Sequence, residues 1–341
     1  MSKRRTTIID VAQHVGVSPK TVSRVLNNEK YVREDVREKV QQAIEELAYR
    51  PNINARSLIA QKNYLIGLTY ERPSPSYVVE LQKGSLERLE ETRYRLAVLP
   101  FHDSVTREEG LVSLLSSAGL DGVLLAPPSC DQQTTLDALE RHHIAYARIT
   151  PHNQPKRGIV AAMDEVAAAR DIAAHLLELG HTRIGIIKGP QEHKASFERT
   201  KGYEEAFEAA GVPILPELVE QGDFTFPTGH AAALRLLDRA RPPSAILAQN
   251  DDMAAAAILA ARENGLEVPQ DISICGFDDS EISRLTWPQL TTIHQPVREM
   301  AWDAADRLVQ SIEGGPDGPV QQYQQHAHRI MIRGSTAPPA A

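Results

Sequence analysis

Only two cysteines, Cys130 and Cys275, occur in 341 residues, which argues against a disulfide framework and fits a reducing compartment. No apolar run approaches the length of a membrane span. The basic start Met1-Ser2-Lys3-Arg4-Arg5 leads into no apolar segment, so no secretory leader is expected and a cytoplasmic chain is. No phosphate-cradling G-x-x-x-x-G-K-[ST] or G-x-G-x-x-G occurs, and no G-x-S-x-G nucleophile elbow. His142-His143 and His326-Ala327-His328 lack Cys or carboxylate ligands at metal spacing, so no metal is expected. Asp278-Asp279 are adjacent, and in a loop they diverge instead of facing each other as an acid–base pair. No repeat of solenoid period is visible. These absences speak against an enzyme and against a resident cofactor.

What is present is globular. Hydrophobic residues make up 42% and charged residues 24%, and the length allows two or three domains. The net charge of −8 hides an asymmetry. Residues 1–62 hold 12 Lys/Arg against 7 Asp/Glu, a net of +5, and the remainder carries −13. A basic head on an acidic body localises any polyanion contact to the head.

The head begins with two short helices. Thr7 can cap the first, whose apolar stripe is Ile8, Val11, Ala12 and Val15. Gly16 stands where a terminating glycine belongs. Ser18 caps the second helix and Pro19 takes its first position. Val22, Val25 and Leu26 are left to pack, while Lys20, Thr21, Ser23, Arg24 and Asn27 face outward. Hydroxyls, an amide and two cations at a helix start suit the DNA major groove; an ordinary surface helical hairpin is the plainer alternative. A third helix carries Val36, Val40, Ile44 and Leu47 and ends near Tyr49-Arg50-Pro51. Residues 51–60 are too short to hold a helix alone.

From Tyr64 the chain alternates apolar strands with amphipathic helices. Strands are expected at 65–68, 96–99, 123–126 and 145–147, with helices around 78–92, 107–117 and 132–142. After Asp164 the rhythm restarts, with strands at 184–187, near Val219-Glu220, at 245–248 and at 272–277. Helices are expected near 165–179, 196–210, 228–238 and 251–264. Two such runs mean two doubly wound parallel sheets. Ligands bind beyond the carboxyl ends of such strands, where Tyr77, Arg199, Phe224, Asn250 and Asp278 fall. Planar polar side chains with one aromatic face form a set that suits a sugar.

Asp10-Val11-Ala12, Gly16-Val17-Ser18 and Thr21 to Asn27 resemble the opening of the lactose-repressor (LacI/GalR) family of bacterial regulators. The resemblance continues through Leu179-Gly180-His181, Gly189-Pro190, Gly202-Tyr203, Asn250-Asp251, Gly276-Phe277-Asp278-Asp279 and Leu290-Thr291-Thr292-Ile293. It implies an all-α helix-turn-helix head at 1–50 and a hinge helix at 51–62. An α/β body follows at 63–341, with two doubly wound parallel-sheet subdomains of periplasmic sugar-binding-protein type. The chain should cross between them three times, giving a first subdomain of about 63–162 and 293–320 and a second of about 163–292 and 321–333.

The same resemblance implies DNA contacts at Thr7, Ser18, Pro19, Lys20, Thr21, Ser23, Arg24, Asn27 and Tyr49. In the hinge it implies Asn52, Ala55 and the wedge residue Leu58, which would part a central base step. It assigns effector binding to Tyr77, Arg148, Arg199, Phe224, Asn250 and Asp278. The expected protein is a homodimeric repressor of carbohydrate-utilisation genes, whose hold on a near-palindromic operator is controlled by a small sugar or sugar-like effector. A corepressor-dependent regulator and, further off, a stand-alone sugar-binding protein are the alternatives. Some departures from the family pattern stand out. Arg33 holds the place of a small hydroxyl cap, and Val36 that of a threonine. The first-subdomain loop 70–77 and the strand end Arg148–Thr150 also depart, so the sugar cannot be read off. The tail Gly334-Ser335-Thr336-Ala337-Pro338-Pro339-Ala340-Ala341 cannot continue a leucine heptad and is expected to be disordered and dispensable.

Overall fold

The computed structural model describes residues 6–26, 31–49, 62–71, 74–101, 119–191, 193–314 and 322–340. It separates into a head ending at Tyr64 and a body from Leu65. The expected contacts at Asn27, Asn52, Ala55 and Leu58, and the expected helix around 107–117, lie outside the described residues.

Three helices make the head: α1 (Ile8–Val15), α2 (Pro19–Leu26) and α3 (Glu34–Glu46). Local chemistry sets their ends. Thr7 and Asp10 cap α1 reciprocally: Asp10 N–H donates to Thr7 Oγ1 at 3.3 Å and Thr7 N–H to Asp10 Oδ2 at 2.7 Å. This satisfies two amides that a helix start leaves open. Gly16, at φ 73°, closes the helix in the left-handed region, where a side chain would be strained. Ser18 Oγ accepts from Thr21 N–H at 3.1 Å to start α2. Arg33 opens α3 without a side-chain cap. Val11, Ala12, Val22, Val25, Val40 and Ala43 interlock as the core, with Tyr49 among them.

The body holds two parallel sheets. The first contains β1 (Leu65–Glu71), β2 (Arg95–Phe101), β3 (Gly122–Leu125), β4 (Ala145–Ile149), β5 (Ile159–Met163) and β11 (Tyr323–His326), ordered β11-β5-β4-β3-β1-β2. Helices α4 (Pro75–Glu90), α5 (Gln133–Arg141) and α11 (Val297–Gly314) accompany it. The second contains β6 (Ile184–Lys188), β7 (Val219–Gln221), β8 (Ala245–Ala248) and β9 (Ser273–Cys275), ordered β7-β6-β8-β9. It goes with α6 (Glu165–Glu178), α7 (Lys194–Ala210), α8 (Phe226–Leu237), α9 (Asp251–Glu263) and the short α10 (Glu281–Leu285). An antiparallel pair, β10 (Thr292–His294) and β12 (Arg329–Met331), carries the later crossings.

Two glycines are packing devices, the motif residue Gly202 and Gly84. A Cβ on Gly202 would sit 2.3 Å from Val166 O, and one on Gly84 2.1 Å from Arg298 O. Glycine therefore lets α7 close on α6, and α4 on α11.

Two expectations need correction. Residues 321–333 do not all finish in the second subdomain. Tyr323–His326 pairs in parallel with β5 as the edge of the first sheet, and only Arg329–Met331 joins Thr292–His294. The strand β5 lay unnoticed in the apolar run Ile159–Met163, and its open edge is what β11 covers.

The tail is not loose either. Ser335 is fully buried; its carbonyl accepts from Ile274 N–H at 2.8 Å, and its hydroxyl donates to Ile274 O at 2.5 Å. Ala337 bonds Ser273 Oγ through both its N–H and its carbonyl, each at 3.0 Å. The tail thus covers the exposed edge of β9, as an added strand would. Deleting 334–341 should cost the body roughly 2 kcal/mol, from several net bonds of about 0.5–1 kcal/mol each. Urea melts of the full and truncated chains check this; coincident midpoints would show that the tail contributes nothing.

Candidate functional site

The head presents the outer face of α2. Ser18, Pro19, Lys20 and Arg24 are exposed, while Thr21 and Ser23 are half-buried at its flank. This is the face that sequence periodicity assigned to DNA. Thr7 is exposed at the start of α1, but its hydroxyl hydrogen is committed to Asp10 Oδ2 at 2.7 Å. Tyr49 is a correction. It is only 9% exposed and its ring belongs to the head core, so it packs the three helices instead of offering its face to DNA.

In the body, the carboxyl ends of the two sheets close on a narrow cleft. Tyr77, Arg199, Phe224, Asn250 and Asp278 line it. Ser74, Pro127, Thr150, His152, Glu165, His193, Ala195 and Gln295 complete the wall, none of them assigned from the sequence.

Arg199, on α7, is the floor of the site and is 4% exposed. Its Nε donates to Glu165 Oε2 at 2.9 Å and its Nη1 to Gln249 O. Its Nη2 lies 3.6 Å from Asp278 Oδ1, and its Cζ 3.7 Å from the centre of the Phe277 ring. Glu165 Oε1 accepts from Gln295 Nε2 at 3.2 Å. The Arg199 charge is thereby spent mainly on Glu165. Asp278 accepts no side-chain hydrogen bond among the described residues. Burial pushes its carboxyl well above the usual range, with Arg199 opposing and Asp251 and Glu165 adding to the rise.

Backbone strain gathers here, as it does at functional sites. Phe224 has φ 70°, Asp278 φ 121° and Thr150 φ 47°. Each is held in place. Asn250 Nδ2 donates to Phe224 O at 2.9 Å, while Asn250 Oδ1 caps α9 at Met253 N–H. Asp278 N–H donates to Ile293 O at 2.9 Å. Thr150 Oγ1 and the Tyr77 hydroxyl lie 3.1 Å apart.

Arg148 is the second correction. It is fully buried and does not line the cleft. Its guanidinium donates to the carbonyls of Cys130, Asn153, Gln154 and Arg157, to Asn153 Oδ1 and to Asp131 Oδ1. All its donors are consumed in fixing the loop after β4, so none is left for a ligand.

Among the described residues no cluster of three or more His, Cys, Asp or Glu side chains could hold a metal. No helix of the described residues is long and apolar enough to cross a membrane.

Comparison with known proteins accords with both halves. The profile of bacterial regulatory proteins, lacI family, matches residues 7–52, and that of the periplasmic binding protein-like domain matches residues 173–336. The chain is 37% identical to the HTH-type transcriptional regulator DegA of Bacillus subtilis over 298 residues, covering 87% of this chain and 88% of that one. It is 34% identical to the HTH-type transcriptional regulator CelR of Thermobifida fusca over 341 residues, covering 98% and 99%. Among solved structures, a lac repressor dimer bound to operator and the anti-inducer ONPF matches with a TM-score of 0.85 at 27% identity, over 98% of this chain and 100% of that one. A CelR–cellobiose complex matches with a TM-score of 0.71 at 31% identity, over 97% and 100%.

Proposed function

The chain belongs to the lacI family of bacterial regulatory proteins, and from that premise we propose a cytoplasmic homodimeric repressor whose hold on a near-palindromic operator is set by a neutral sugar in the body cleft. As a member of the family it is a helix-turn-helix transcriptional regulator under small-molecule control. The observation that carries the sugar reading is Asp278, a half-buried cleft carboxyl that lies 3.6 Å from the Arg199 guanidinium and accepts no side-chain hydrogen bond among the described residues. Such an acceptor is costly unless a ligand hydroxyl meets it.

Neutrality follows from the charge balance. Among the described residues the cleft arginine, Arg199, is already opposed by Glu165 and Asp278. A carboxylate or phosphate would add negative charge beside the carboxyl groups of Glu165 and Asp278. Phe224, 7% exposed beside His193, gives an apolar wall for one face of the ring.

The dimer reading rests on exposed apolar side chains. Val79 and Leu86 on α4 are 45% and 46% exposed, and Leu285 and Trp287 are 74% and 78% exposed. Exposed large apolar groups of this kind mark interaction surfaces, and a C2 dimer covers the same patch on both copies.

The test is a gel shift. The full chain selects its operator from random duplexes, and the complex is then challenged with neutral sugars, uronic acids and sugar phosphates. A neutral sugar should alter operator affinity while its anionic analogues do not. Loss of binding makes it an inducer and gain a corepressor; indifference to every sugar would overturn the proposal. In the same assay Arg24→Ala should weaken operator binding by about 1–3 kcal/mol and spare random DNA. An equal loss on both would reduce Arg24 to a phosphate contact.

A further inference from the structure

His152 sits on the loop after β4 in the first subdomain, and Glu198 on α7 in the second. His152 Nδ1 lies 2.8 Å from Glu198 Oε2, with the imidazole 4% and the carboxylate 26% exposed. This pair spans the ligand cleft. The other ring nitrogen, Nε2, is buried and has no hydrogen-bond partner among the described residues, and His152 lines the cleft. A buried imidazole with one nitrogen anchored and the other unmet in a cavity wall needs a partner there.

The loop is built to hold the ring in that place. Asp131 accepts from the backbone N–H of His152 at 3.0 Å and of Asn153 at 3.2 Å. Arg148 clamps the carbonyls of residues 153, 154 and 157. The buried arginine therefore serves the cleft at one remove, as a positioning residue for His152.

We propose that His152 is the residue through which the closed cleft reads its ligand: Nδ1 latches onto Glu198 of the opposite subdomain while Nε2 bonds a ligand hydroxyl, so that one side chain couples closure, ligand contact and pH. This rests on the cleft being the effector site. The charged groups facing His152 are Glu198 from α7, Glu165 from the start of α6, and Asp131, itself paired with Arg148. Burial alone would lower the His152 pKa, but the Glu198 bond and these carboxylates raise it above the ordinary value. A raised pKa in the closed form means that closure is favoured at low pH and weakens as pH rises through that value. Opening separates His152 from Glu198 and returns the imidazole to its ordinary range near about 6.5.

The experiment measures closure directly, in the full-length protein. Nitroxide labels at Arg141→Cys and Glu208→Cys, exposed positions on α5 and α7, report the distance across the cleft by electron–electron resonance. Without ligand, the closed fraction should fall between pH 6 and pH 8.5. Glu198→Gln should be more open at both pH values and insensitive to pH, while melting at the same temperature as its parent; Glu198→Asp should restore the pH response. Cellobiose and D-glucose are titrated in parallel. Any sugar that closes the parent should need about ten-fold higher concentration with Glu198→Gln. A pH-independent parent, or a Glu198→Gln variant with an unchanged profile, overturns the latch. Asp278→Asn separates the two readings: it should lose sugar-induced closure and keep the pH response. Retained sugar response in that variant would fault the cleft assignment and leave the latch to its own result.

Discussion

Arg199→Ala should destabilise the body by about 3–5 kcal/mol, the cost of leaving buried charge without its partner. The arginine is 4% exposed and Glu165 2% exposed. Removing the guanidinium strands Glu165 Oε2, frees the Gln249 carbonyl, takes the cation from beside Asp278 and empties the face of Phe277. For a body of this size the melting temperature should fall by about 10 °C. The deficit should shrink as pH falls. In the variant, Asp278 loses the cation that opposes the rise burial gives its carboxyl, so the stability held below its unfolded value is lost as pH rises through the folded one. Arg199→Lys should recover only part of the loss, because an ammonium cannot donate to Glu165, reach Gln249 and stack on Phe277 together. Thermal melts of the three proteins at pH 5 and pH 7.5 decide it. A loss under 1 kcal/mol at pH 7.5 would mean that water replaces the guanidinium and the site is open.

The head could be read from its sequence because its determinants are local. Thr7 with Asp10, Gly16 and Ser18-Pro19 each act within one helical turn, and each appears in the structure where the pattern put it. Most of the sheets could be read as well, since β3 and β8 are continuous apolar runs buried along their whole length and β6 is one up to its last residue, the half-buried Lys188. Two strands escaped: β5, an interior run of five buried residues, and β11 at the edge. Tyr323–His326 is a polar segment, alternately exposed and half-buried, and nothing in it names its partner. It is a strand only because β5 presents open N–H and C=O groups beside it. The docked tail follows the same logic: two prolines and a glycine do forbid a long helix, but they leave an extended segment able to cover β9.

The site divides in the same way. Arg199, Phe224, Asn250 and Asp278 follow strands of the second sheet, and the rule of carboxyl ends found them. Arg148 and Thr150 stand two apart at the end of β4, where simple alternation would put them on one face. The left-handed backbone at Thr150 breaks the alternation, so Thr150 reaches the cleft and Arg148 turns to the loop. Glu165 and Gln295 stand beside the crossings between subdomains, and His152 on an irregular loop. No periodicity marks such positions, because their proximity exists only once both sheets have formed.

Asp278→Asn should uncouple stability from function, weakening sugar binding by 100-fold or more while leaving the ligand-free body as stable as before or more so. The loss follows from replacing a two-oxygen acceptor by an amide, which turns one acceptor into a donor and leaves ligand hydroxyls unmet, at about 1–3 kcal/mol for each bond lost. The gain follows from the empty cleft. Burial pushes the Asp278 carboxyl up, and the Arg199 cation, 3.6 Å away and bonded to Glu165, offsets it only in part. A carboxyl with a raised folded pKa contributes stability below its unfolded value, near about 4, and that contribution is lost as pH rises through the folded one. At neutral pH, above the unfolded value, the wild-type body has therefore lost part of that contribution, and the non-titrating amide avoids the loss. Calorimetry of the operator-displacing sugar and urea melts at pH 5 and pH 8 measure the two halves separately. The variant's stability advantage should be larger at pH 8 than at pH 5. A variant that binds sugar normally would remove Asp278 from the site. One that melts markedly lower at pH 8 would mean that the carboxylate is an internal structural partner of Arg199 and not an acceptor held in reserve for a ligand.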